Sequence, residues 1–301
     1  MGTTGVYEPP AAEDIAKAQN SDANLKLLLS QRRFYSRAKV WTTVRGLGVG
    51  IVAIAAPLLA AFWEPATVPA ASVAAVWYVL NRVLFQNLER RDATRGATVQ
   101  EQFDSTVFGM PTIAVREPRV LPEDIARITK SGVRRRRQYS VEHLRGWYPI
   151  QTEVPGRIAI AIAQRGNAAY SRRLMQRHAS LWLALLATWA VAAVVIALCF
   201  GFSLETFLLA VAIPVMPPLV DAWDGFIRVR AASREQEALA NEIQDAIKTD
   251  VTQPIRPEQL VAWQSQLFAL RRDAPLVPDW LYWLLRKGNE SEMSELHMAL
   301  S

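Results

Sequence analysis

Residues 179–204 read ASLWLALLATWAVAAVVIALCFGFSL, twenty-six positions without one charged side chain. As a helix this stretch measures about 39 Å, more than the ~30 Å hydrocarbon core of a bilayer. A buried helix of a water-soluble domain would break sooner or show a polar face, and this one does neither. It reads as a membrane span. Arg172, Arg173 and Arg177 stand directly before it, and a second apolar run follows within a few residues.

The same arrangement occurs nearer the N-terminus, where Glu64-Pro65 separates two apolar runs. The sequence therefore predicts an all-α integral membrane protein with four transmembrane helices in two hairpins. The spans are residues 46–63 and 66–84, then 179–201 and 206–225. Around them lie an N-terminal helical segment (1–45), a central insert (85–178) and C-terminal helices with a tail (226–301), which together are expected to build a helical cytosolic domain. Lys and Arg are absent from the two short turns at 64–65 and 201–205, but dense on the opposite side of all four spans. The positive-inside rule places the N-terminus, the insert and the C-terminus in the cytoplasm. The formal charge of +6 is thus first explained by topology, ahead of nucleic-acid binding. The first residues lack the basic and apolar regions of a signal peptide.

Within the polar segments, residues 13–39 contain neither Pro nor Gly and predict one helix, with Ile15, Leu25, Leu28, Leu29 and Tyr35 roughly on one face. Leu121-Pro122-Glu123-Asp124 is a helix start, with Pro in the first turn followed by acids. Ser140 is expected to cap a short helix ending at Gly146, and Trp147-Tyr148-Pro149 to turn the chain. Pro155-Gly156 opens a long helical pattern expected to run on into the third span. Two further helices are predicted over 228–248 and 258–272, and no strand pattern is present.

Candidate packing and gating positions follow from the span sequences. Gly46 and Gly50 form a G-x-x-x-G pair that permits close helix approach in lipid. Pro214, Pro217 and Pro218 are expected to kink or partly unwind the fourth span. Asp221 and Asp224 stand at its exit, either as ordinary interfacial acids or as part of an ion path. Cys199 is the only cysteine and His143, His178 and His297 are widely separated, so no metal site and no catalytic set is expected.

Arg134, Arg135, Arg136 and Arg137 have two readings. They can meet anionic lipid headgroups or solvent, or they can grip phosphates through bidentate guanidinium contacts. Tyr139, Trp147 and Tyr148 follow closely and could stack bases, or simply pack in a core. With Arg165 and Asn167 they make up the candidate ligand site.

The chain resembles the SMODS-associated four-transmembrane effectors of bacterial cyclic-oligonucleotide antiphage (CBASS) systems. The likeness is carried by Gln19-Asn20, Leu27-Leu28-Leu29, Gln31-Arg32, Tyr35 and Ala38-Lys39. It continues in Gln102-Phe103-Asp104, Phe108, Met110-Pro111, Trp147-Tyr148-Pro149 and Gln164-Arg165 with Asn167 and Tyr170. Thr112 and Tyr170 depart from the pattern, each standing where Trp is expected. The resemblance implies a non-enzymatic, pore-forming protein of the bacterial inner membrane. Its activating ligand would be a cyclic di- or trinucleotide made by a co-encoded nucleotidyltransferase. Its further partners would be membrane lipid and copies of itself, in a homo-oligomer, with no DNA or RNA polymer and no cofactor. Three competing readings are a small constitutive channel or transporter, a membrane-anchored cytosolic enzyme and a membrane-anchored scaffold binding a cytosolic partner. A channel would place polar residues inside several spans, and these spans are nearly free of them.

Overall fold

In a computed structural model the chain is described over residues 7–63, 65, 67–111, 120–129, 138–140, 142–199, 201, 203, 205 and 213–277. Every regular element among them is helical. In chain order these are α1 (Ala12–Ala18), α2 (Asp22–Phe62), α3 (Thr67–Leu80), a π-helical turn (Asn81–Phe85), α4 (Gln86–Val107), α5 (Pro122–Thr129), α6 (Gly156–Cys199), α7 (Ile213–Thr249) and α8 (Pro257–Asp273).

The apolar runs are not separate from the polar helices. Each is the outer part of a long helix whose inner part belongs to the domain. Helix α2 packs antiparallel to α3 and α4, as the cross-pairs Gln31–Gln100, Arg37–Asp92 and Arg45–Glu89 show. Helices α6 and α7 form the second antiparallel pair, tied by Arg172–Glu237 and by Trp182 lying against Gly225. The outer parts expose large apolar side chains: Leu47, Val73, Val191 and Leu198 are 62%, 62%, 63% and 76% exposed. Leaving such area in water costs about 25 cal/mol per Å², so this surface suits lipid. Among the described residues, the run Val68–Val107 is by itself long and apolar enough to cross a membrane. Arg82, Arg90, Arg91, Arg177 and Arg228 are exposed where the apolar surface ends.

The inner parts of both hairpins share one core. Leu25, Leu28 and Leu29 of α2, Phe103 of α4, Ile160 of α6, Leu239 and Ile243 of α7 and Leu260 of α8 are all buried in it, with Ile15 of α1. The predicted stripe of Ile15, Leu25, Leu28 and Leu29 is thus the core face, while Tyr35 packs its ring against Gly96 of α4. Helix α4 ends as a Schellman cap, with Gly109 in the left-handed region (φ 62°) and the Met110 N–H bonded to the Ser105 carbonyl at 2.9 Å.

Local structure departs from the sequence reading in two places. The single helix expected over 13–39 is broken at Gln19-Asn20-Ser21, because those side chains bond elsewhere. Gln19 donates to the Tyr148 carbonyl (3.0 Å) and accepts from the Tyr148 N–H (2.8 Å). Asn20 accepts from the Gly146 N–H (3.0 Å), and the Ser21 hydroxyl caps the new helix through the Asn24 N–H (3.3 Å). The short helix expected to run from Ser140 to Gly146 does not form. Residues 138–140 are helical, and turns follow through His143 (φ 49°) and Gly146 (φ 61°), conformations a right-handed helix cannot hold. Among the described residues, helical backbone includes Pro214, Pro217 and Pro218 at the start of α7. The start at Pro122 and the turn at Trp147-Tyr148-Pro149 occur as predicted.

Candidate functional site

Within the first hairpin, α2 and α3 approach closely at Gly48. A Cβ there would fall within the Trp77 ring, whereas one at Gly46 would meet nothing within 4 Å. Gly50 lies on α2 and Asp221 on α7 by backbone, and Asp224 is exposed beside Trp223.

The ligand candidates separate into three groups. Arg134, Arg135, Arg136 and Arg137 lie outside the described residues. The aromatic residues are not a stacking platform: Tyr139 and Tyr148 are buried in the core, and half-buried Trp147 has the Arg32 guanidinium 5.9 Å over its ring. Arg32 and Arg33 both hold Glu142, at 3.4 and 2.5 Å, which fixes this loop on α2. The third group, Arg165 and Asn167, is carried by α6.

Tyr148 and Asn167 belong to a buried polar network that joins both hairpins. Its centre is Asp104 of α4, which has no exposure at all. Asp104 accepts from the Tyr148 hydroxyl (2.6 Å), from Gln264 Nε2 (3.0 Å) and from Arg271 Nη1 (2.6 Å). Tyr148 accepts from Asn167 Nδ2 at 3.1 Å, and Gln264 also donates to Glu101 at 2.7 Å. Gln164 of α6 donates to the Leu260 carbonyl (2.9 Å) and to Gln264 Oε1 (3.1 Å) of α8. Trp263 of α8 donates to Glu242 of α7 at 2.7 Å. One short helix, α8, therefore binds to α4, α6 and α7 at once.

The electrostatics agree with a structural tie. Burial opposes the charge of Arg271, but Asp104, Tyr148 and Glu101 outweigh it and hold the guanidinium above its usual range. Burial, then the neighbouring Asp104, pushes the Tyr148 hydroxyl well above that of a free tyrosine, so it stays protonated and donates. Asp104 has no lone pair turned toward an open space, and the network has no exposed nucleophile. Among the described residues no group of three His, Cys, Asp or Glu side chains could hold a metal ion.

The segments that meet here are those that carry the family likeness: Gln19-Asn20, Gln102-Phe103-Asp104, Trp147-Tyr148-Pro149, Gln164-Arg165 and Asn167. Over residues 13–299 the chain matches the SMODS-associating 4TM effector domain. It belongs to that family. The family's description names four transmembrane helices, in keeping with the all-helical fold and its four apolar runs. A protein of Bacillus cereus (strain VD146), named "Probable CBASS effector molecule", is 25% identical over 297 residues, covering 94% of this chain and 97% of the relative. No solved structure matches the chain.

Glu101, Gln264 and Arg271 were not among the sequence candidates. A signal for two of them exists in α8, where Gln264 and Arg271 stand seven apart inside the stripe of Leu260, Trp263 and Leu267. A polar group in an apolar stripe must find a buried partner.

Proposed function

We propose that this effector is a CBASS protein that senses a cyclic oligonucleotide in the cytosol and answers by disrupting the inner membrane. In this reading the nucleotide is made by a co-encoded nucleotidyltransferase, and binding rearranges or assembles copies of the chain. No turnover is involved. The inner helical domain and both termini face the cytoplasm, as the distribution of Lys and Arg favours. The observation that carries the reading is α6, an unbroken helix from Gly156 to Cys199. Its inner end is held in the polar network by Gln164 and Asn167, and its outer end is exposed and apolar. A ligand that prefers one setting of the inner end shifts the outer end with it, by no more than that preference.

The test is dye release from liposomes carrying the full chain, with and without a panel of cyclic di- and trinucleotides. Release that rises with one nucleotide is expected. Release that none of them alters would overturn the reading. Labelling in intact cells supplies the topology: with Cys199 replaced by Ser, a cysteine at Glu153 should resist an impermeant thiol reagent and one at Glu205 should react.

A further inference from the structure

Arg165 sits on the inner part of α6, half-buried, with its Nε enclosed and no hydrogen bond to it. Among the described residues no carboxylate pairs with this side chain. Burial, then the repulsive charges of Arg173 and Arg172, lowers its affinity for a proton. Arg172 is seven residues on and shares its face of the helix, with Arg173 on the flank. Arg172 also has an enclosed, unbonded Nε. The nearby carboxylate, Glu237 of α7, is committed to Arg172 Nη1 at 2.8 Å. Part-burying a guanidinium without a counter-ion is costly, and none of the described residues supplies one to Arg165.

We propose that Arg165, flanked by Arg172 and Arg173, is the anchor for a phosphate group of a soluble ligand. This deepens the sensor reading above and rests on it for the ligand's identity as a cyclic oligonucleotide. The shared chemistry is a phosphodiester, which a lipid headgroup also carries, but distance favours the soluble source. Arg165 precedes the third span by 14 residues, about 21 Å of helix, whereas headgroups extend only some 5–8 Å beyond the hydrocarbon core. Neighbouring Gln164 and Asn167 hold α8 and the Tyr148 turn, so a phosphate docked at Arg165 bears on the contacts that set α6.

The test uses the full chain in nanodiscs with inorganic pyrophosphate as the probe, followed by calorimetry and thermal melting. Wild type should bind and melt higher with pyrophosphate, Arg165→Gln should lose about tenfold or more in affinity, and Arg228→Gln should match wild type. Without any anion, Arg165→Met should melt above wild type, since it removes an unanswered charge; a purely structural Arg165 would give a lower melting point. Pyrophosphate binding absent from wild type, or equal in Arg165→Gln, overturns the site. So does Arg165-dependent stabilisation that follows phosphatidylglycerol in place of phosphatidylcholine and ignores pyrophosphate. If pyrophosphate binds through Arg165 but no cyclic oligonucleotide displaces it, the anion site stands and the sensor reading fails. If a cyclic oligonucleotide opens liposomes equally with wild type and Arg165→Gln, the reading stands and the anchor fails.

Discussion

The two hairpins leave the same core and are secured very differently where they enter the apolar zone. In the first, Trp77 fills the space over Gly48, and Phe85 of the π-helical turn meets both Trp77 and Trp41, with ring centres 5.5 and 6.0 Å apart. Arg45 reaches Asn81 at 2.8 Å and pairs with Glu89, while Arg37 and Trp41 both approach Asp92. In the second hairpin, the corresponding zone is a small apolar cluster of Met175, Ala179, Phe226 and Val229. Polar ties across it include Arg172 to Glu237 and the Ser233 hydroxyl to the Arg172 carbonyl at 3.4 Å. One hairpin is clamped by interlocked rings and charges. In the other the ring pairs lie within each helix, His178 with Trp182 on α6 and Trp223 with Phe226 on α7, and α6 meets α7 through apolar side chains and the Arg172–Glu237 pair.

Both hairpins depend on the network at Asp104, so its loss removes the base on which they differ. Asp104→Ala leaves Arg271 buried without its partner and should cost about 3–5 kcal/mol, seen as loss of a cooperative melt in detergent. Gly48→Leu comes next. It must displace Trp77 and should cost roughly 3 kcal/mol, the upper end for overpacking, while Gly46→Leu should be close to neutral. At Gly225 of the second hairpin, an added Cβ meets Trp182 at an ordinary 3.8 Å, so Gly225→Ala should leave the melt unchanged or raise it slightly. Equal sensitivity at Gly48 and Gly225 would remove the contrast between the hairpins.

A further expected effect is one of pH. Burial lowers His178, at the boundary of the second hairpin, to about 4 from a usual 6.5. Between these values the unfolded chain holds more protons, so stability declines as pH falls through that window. At pH 5 the loss is on the order of 2 kcal/mol. His178→Gln should flatten the dependence of the melting temperature between pH 7 and pH 5. An unchanged slope would show that His178 is not a neutral, buried contact of this hairpin.

The architecture was readable because it rests on local pattern. The uncharged runs, the core stripe from Ile15 to Leu29, the start at Pro122 and the long helix after Gly156 each follow from spacing within one segment. What escaped depends on partners far away in the chain. Gln19-Asn20 interrupts the first helix only because Tyr148 and Gly146 await it more than a hundred residues later. The spacing motif marks Gly46 and Gly50 but not Gly48, which faces Trp77, and only the register of α2 against α3 decides that. Of the candidate site, Tyr148 and Asn167 proved to be structural ties, whereas Arg165 kept its interest because the fold leaves it unanswered.

With 44 residues, α6 is a rod about 66 Å long. A tilt of about 5° around its midpoint would swing each end by roughly 3 Å, in opposite directions. That is on the scale of half a helix turn, enough to unseat apolar side chains from one set of grooves and offer them to another. Geometry alone thus carries a small displacement of the inner end of α6 to its apolar end, equal in size and reversed in direction.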